Sequence, residues 1–120
     1  MSVPFTYKGG NKMIDEMRFF DNATTTGESK VFGNTKGGVL TLQISGSATA
    51  FSFSLLGCLN IESEEFVELQ GINMHNFSLD TTITTPGIYE FDISGIRRLK
   101  VALDSIEGGG ITIMAISKEG

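Results

Sequence analysis

Along most of the chain, large apolar residues recur at every second position, and the pattern is interrupted by clusters of glycine, serine, asparagine and proline. Side chains alternate between the two faces of a strand, so a single buried face leaves this period of two in the sequence. The clearest instance occurs twice, as Gly38-Val39-Leu40-Thr41-Leu42-Gln43-Ile44-Ser45-Gly46 and as Gly87-Ile88-Tyr89-Glu90-Phe91-Asp92-Ile93-Ser94-Gly95. In both copies one parity is large and apolar (Leu40, Leu42, Ile44 and Tyr89, Phe91, Ile93), while Thr41, Gln43, Glu90 and Asp92 take the other. Each copy reads as a strand bounded by tight turns.

The same alternation predicts further strands. Residues 50–56 place Phe51, Phe53 and Leu55 inward and Ser52 and Ser54 outward, forming a hairpin with residues 39–45 through Gly46-Ser47. Residues 66–69 and 74–79 form two short strands around a turn at Gln70-Gly71, and the Thr-rich residues 81–86 make a connection of the kind found on sheet edges. Residues 99–103 and 111–116 form a hairpin turned by Gly108-Gly109-Gly110. Residues 11–20 fit helical spacing at Met13, Ile14, Met17 and Phe20, and also an amphipathic strand; the β character of the rest favours the strand. Residues 21–36 read as a long loop with a short edge strand near Val31-Phe32. Residues 1–10 read as an arm, either loose or docked on a neighbour, in which Pro4 and Gly9-Gly10 discourage regular structure and Phe5 and Tyr7 are aromatic anchors.

Many short strands with no convincing helix predict an all-β fold: an antiparallel two-sheet β-sandwich, jelly-roll-like, with an extended N-terminal arm. The arm covers residues 1–12 and a single sandwich domain covers residues 13–120. The repeated block fits two related hairpins, one in each half of the chain, although packing constraints alone also generate such a likeness.

Length and composition agree with one domain. A chain of 120 residues with 40% apolar content and nine phenylalanines can close one hydrophobic core. The net charge of -5, with no basic run longer than Arg97-Arg98, argues against nucleic acid as a partner. A lone cysteine, Cys58, leaves the fold to be held by its core and fits folding in a reducing cytoplasm. Residues 1–12 hold no apolar stretch of signal-peptide length, and no segment approaches the ~18–20 apolar residues of a membrane span, so a soluble chain without a membrane partner is expected.

Candidate chemistry is sparse. His75 is the only histidine, which removes the material for a His-based triad or a multi-histidine metal site within one chain. Cys58 has no sequence neighbour that would lower its pKa and reads as packing. Glu62, Glu64, Glu65 and Glu68 share one segment, whereas glycosidases need an acid and a base on opposite sides of a substrate. Those glutamates, or Asp15, Glu16 and Asp21, could offer oxygens to calcium, but the spacing matches no calcium loop. The sequons Asn22-Ala23-Thr24 and Asn76-Phe77-Ser78 carry no weight without secretion, and Gly108-Gly109-Gly110 lacks the Lys and Ser or Thr of a phosphate loop. With no Trp and only Tyr7 and Tyr89, a sugar-stacking platform lacks its usual residues. No catalytic, cofactor-binding or metal-binding residue is therefore assigned, no cofactor is expected, and an enzyme is disfavoured.

The segment from Thr85-Pro86-Gly87 through Ile93-Ser94-Gly95, continuing by Leu99-Lys100-Val101 to Gly109-Gly110-Ile111-Thr112-Ile113, resembles small β-sandwich structural proteins of tailed bacteriophages. Phe20-Asp21-Asn22-Ala23-Thr24-Thr25-Thr26-Gly27 and the segment from Leu40 to Phe53 fall in the order expected of that group, so the resemblance covers most of the chain beyond about residue 18. It implies a virion protein made in the host bacterial cytoplasm, with a capsid decoration or head-associated role first and a tail or baseplate accessory second. A carbohydrate- or host-surface-binding sandwich is the reading outside that class. The implied partners are the major capsid protein or other virion proteins, and a homo-oligomer is compatible. The resemblance transfers no site residues.

Overall fold

The computed structural model describes residues 14–34, 37–59 and 65–118. Eleven strands follow one another: β1 (Ile14–Ala23), β2 (Gly27–Glu28), β3 (Phe32–Gly33), β4 (Val39–Gly46), β5 (Ala50–Cys58), β6 (Val67–Glu68), β7 (Gly71–Asn73), β8 (Leu79–Asp80), β9 (Gly87–Asp92), β10 (Arg98–Glu107) and β11 (Ile111–Lys118). They form two antiparallel sheets, one of six strands in the order β1-β11-β4-β9-β7-β8 and one in the order β2-β10-β5-β6, with β3 also paired to β10. The fold is the all-β sandwich that the alternation predicts. The proposed arm, with Phe5 and Tyr7, lies outside the described residues.

Residues 11–20, which left helix and strand open, are strand from Ile14 onward, and β1 runs on to Ala23 along β11. Two register shifts interrupt its pairing, between Arg18 and Phe20 and between Phe20 and Ala23. Such irregularities blunt an edge strand against further pairing. Between the sheets lies one core built from the predicted inward parity, including Leu40, Leu42, Phe53, Leu55, Tyr89, Ile93, Val101 and Ile113, all buried. Tyr89 keeps its hydroxyl satisfied there, at 2.7 Å from Thr85 Oγ1 and 3.3 Å from Asn73 Nδ2.

Neither predicted long hairpin is one. β4 and β5 lie in opposite sheets, as do β10 and β11, so Gly46-Ser47 and Gly108-Gly109-Gly110 turn the chain across the core rather than within a sheet. The two crossings stack at one end of the sandwich. Ser47 and Ala48 N–H both donate to Gly110 O at 3.0 Å, and Thr49 N–H donates to Glu107 O at 2.9 Å. Gly46 has a φ of 134°, and a Cβ there would overlap Gly110 O. Glycine is needed because two backbones meet, not because a hairpin turns there.

The repeated block has a spatial counterpart. β4 and β9 pair in one sheet, from Val39 opposite Asp92 to Ile44 opposite Gly87, while the strands that follow them, β5 and β10, pair in the other. Two crossing units thus stand side by side, in place of two separate hairpins. Residues 70–79 also depart from expectation: Gly71 begins β7, and residues 74–78 are a turn rather than a strand. Gly71 is buried against the Phe91 ring, which leaves no room for a side chain, so the apparent turn glycine is a packing glycine.

Candidate docking surfaces

The residues singled out for chemistry do not converge. His75 is exposed in the 74–78 turn, its backbone N–H donating to Asn73 Oδ1 at 2.9 Å. Cys58 is buried at the end of β5. Glu65 and Glu68 are exposed, and Glu62 and Glu64 lie outside the described residues. Glu16 and Asp21 flank Arg18 at 3.8 and 4.0 Å, so they share a guanidinium instead of facing a common cation; of Asp15 only the strand position is described. Among the described residues no group of three or more His, Cys, Asp or Glu side chains could hold a metal ion. Both sequon asparagines serve the backbone: Asn22 has a φ of 57°, and Asn76 Oδ1 accepts the Ser78 N–H at 3.0 Å. Asp92 has its carboxyl held below the ordinary range by hydrogen bonds from Ser94, first from its backbone N–H at 3.0 Å. It caps a surface turn. On the five-stranded sheet Arg98 and Lys100 lie over the Phe66 ring at 5.3 and 4.3 Å, and Lys100 also holds Glu28 at 2.9 Å. Lys100 is therefore engaged within the fold.

What the structure does bring together is apolar surface, in two places. The first is the β7–β8 tip. Met74, His75 and Asn76 make a single turn, closed by the Phe77 N–H donating to Asn73 O at 2.6 Å, while Asn73 N–H donates to Ser78 O at 2.9 Å. Phe77 has a φ of 63°. This left-handed closing position is the one glycine usually fills after a helical turn. A phenylalanine there is 71% exposed, beside Leu79 at 59% and the partly exposed Met74. Reading residues 74–79 as a strand hid this tip, since alternation says nothing of a residue in a turn.

The second is the outer face of the six-stranded sheet. Strand registers put Glu16, Ile116, Thr41, Glu90, Ile72 and Leu79 in one row across it, and Arg18, Met114, Gln43 and Ile88 in the next. Between the rows runs a shallow groove of about 90 Å³ lined by Thr41, Gln43, Ile88, Met114, Ala115 and Ile116. Ile116 is 46% exposed and Ile88 40%. The signal was present in the sequence, because Ile88, Met114 and Ile116 occupy the outward parity of their strands, but only the register joins them.

No helix among the described residues is long and apolar enough to cross a membrane. Two solved structures share the fold. One is the SPBc2 prophage-derived protein YomS, 25% identical, with a TM-score of 0.82 over 98% of this chain and 100% of that one. The other is the PBSX exported protein XepA, 16% identical, with a TM-score of 0.84 over 99% of this chain but only 45% of that one. No curated protein matches the sequence. The profile of the XepA family matches residues 13–117, nearly the whole sandwich, and the chain belongs to that family, kin to prophage-derived proteins.

Proposed function

We propose that the protein is a non-enzymatic structural component of a tailed-phage particle, a decoration or head-associated protein docking on the capsid shell. The observation that carries this reading is the β7–β8 tip. Phe77 holds a large, mostly exposed apolar ring in a left-handed backbone conformation that costs a non-glycine residue ~1–2 kcal/mol. A protein pocket that takes up Phe77 and Leu79 returns that cost. Kinship with prophage-derived proteins supports the particle as the place where the pocket lies. One tip is a small contact, but many copies on a repeating shell, or a homo-oligomer touching several capsid subunits, gain avidity.

The test is to purify particles from a lysate of the source and quantify this chain by mass spectrometry against the most abundant capsid protein, before and after a salt wash. Hundreds of copies per particle support a shell-decorating protein. A few to a few dozen move it to the tail or a vertex, and absence from particles overturns the reading in favour of polysaccharide or host-surface binding.

A further inference from the structure

The two rows on the outer face of the six-stranded sheet match one another strand by strand. On β1 the first row carries Glu16 and the second Arg18, on β11 Ile116 and Met114, and on β4 Thr41 and Gln43. A carboxylate is thus set beside a guanidinium, an apolar side chain beside an apolar one, and a hydroxyl beside an amide. Only β9 differs, with Glu90 in the first row and Ile88 in the second. The Arg18 and Glu16 side chains are 46% and 58% exposed, so both charges are available at the surface. The groove between the rows follows the line about which they match.

Such a face is complementary to a second copy of itself. A two-fold axis running across the strands, along the groove, exchanges the rows, so that each first-row residue meets the second-row residue of the same strand in the other copy. Glu16 then faces the partner's Arg18, and by symmetry Arg18 faces the partner's Glu16. Ile116 lies on the partner's Met114, and Thr41 on the partner's Gln43. Glu90 meets the partner's Ile88, with the partner's Gln43 on the adjoining strand as a hydrogen-bond donor. Farther out, Lys118 and Val39 meet the partner's Thr112 and Ser45. No like charges are opposed among these residues, whereas a two-fold parallel to the strands between β11 and β4 would set Glu16 on the partner's Glu90. Strand over strand at a small angle is also the aligned mode in which sheets pack. The area suffices: the eight residues of β4 or β11 run ~27 Å and the four strands from β1 to β9 span ~19 Å, so two such faces bury ~1,000 Å², the lower end for a specific interface.

We infer that the chain forms a reversible symmetric dimer by packing the outer faces of two six-stranded sheets together, with Ile116 and Met114 at the centre and two Glu16–Arg18 ion pairs along the β1 margin. The inference stands independently of the particle reading. Phe77 lies outside the four strands that make the contact, so the dimer carries two tips on one side.

The experiment is sedimentation velocity on the full 120-residue chain from low micromolar to millimolar concentration, where the mass should rise from 12.9 kDa toward twice that value. Glu16→Arg and Arg18→Glu each oppose like charges twice across the axis and should weaken association roughly tenfold. Combining the two substitutions in one chain should restore it, and mixing the two single variants should give a mixed dimer. Ile116→Glu should hold the chain monomeric with its melting temperature little changed; should that variant not fold, the charge reversals carry the same comparison. A parent chain that stays monomeric at every concentration overturns the inference and leaves the face to a different protein. So does a dimer that these substitutions leave intact, because it would use another surface, and so does one that the single reversals weaken but the combined swap does not restore.

Discussion

Phe77 concentrates the argument at the scale of a single residue. Asparagine tolerates the left-handed region better than phenylalanine and is polar, so Phe77→Asn should leave the fold intact and raise its stability by about 1 kcal/mol, read as a higher melting temperature. The same substitution should lower occupancy on particles. A variant that melts earlier than the parent would mean that the ring is packed rather than offered. Gly71 is the opposite case: a Cβ would stand 2.5 to 2.8 Å from three atoms of the Phe91 ring. Gly71→Ala should cost about 1–3 kcal/mol in denaturant unfolding, the range for overpacking a filled interior. Asp92 supplies a pH dependence. Its folded pKa lies below the ordinary 3.8 because of Ser94, so its contribution is present above that value and is lost as the pH falls through the lowered one. Asp92→Asn should therefore be less stable than the parent at neutral pH, and the difference in melting temperature should narrow below pH 3.8.

At the scale of the element, alternation fixes which residues make a strand and which face is inward, but not which strand lies beside it. Residues 39–45 and 50–56 have the same inward parity whether they pair in one sheet or face each other across the core. A connection as short as Gly46-Ser47 can serve either arrangement, and the choice is made by the other crossing, through Gly110 and Glu107 more than fifty residues away. Gly46→Ala tests this: a Cβ at a φ of 134° meets Gly110 O, and the substitution should cost about 1–3 kcal/mol, with amide exchange accelerated in both crossings rather than in one. The candidate surfaces were hidden for related reasons. Thr41, Gln43 and Glu90 make their own strands look polar outside, and the apolar strip exists only once β9, β4 and β11 are set in register. The tip was hidden because Met74 and Leu79 share no parity with a turn between them.

At the scale of the molecule, the two sheets commit their inner faces to one core, and among the described residues metal-ligating side chains do not cluster while exposed apolar side chains do. Particle composition is the property to measure at this scale, and if the proposed docking through Phe77 and Leu79 holds, a stoichiometric presence that survives a salt wash is the expected result, because those side chains are apolar and exposed. Ile14 opposite Lys118 also has a mechanical side. The first described strand and the last are antiparallel neighbours whose outer ends lie together. A load pulling those two ends apart opens the β1–β11 seam one hydrogen-bonded pair after another, as a zip opens, instead of straining every bond at once. A pull applied at Ile14 and Lys118 should therefore meet less resistance than one applied along the strands, so anchorage, more than thermal stability, sets how much force the sandwich withstands.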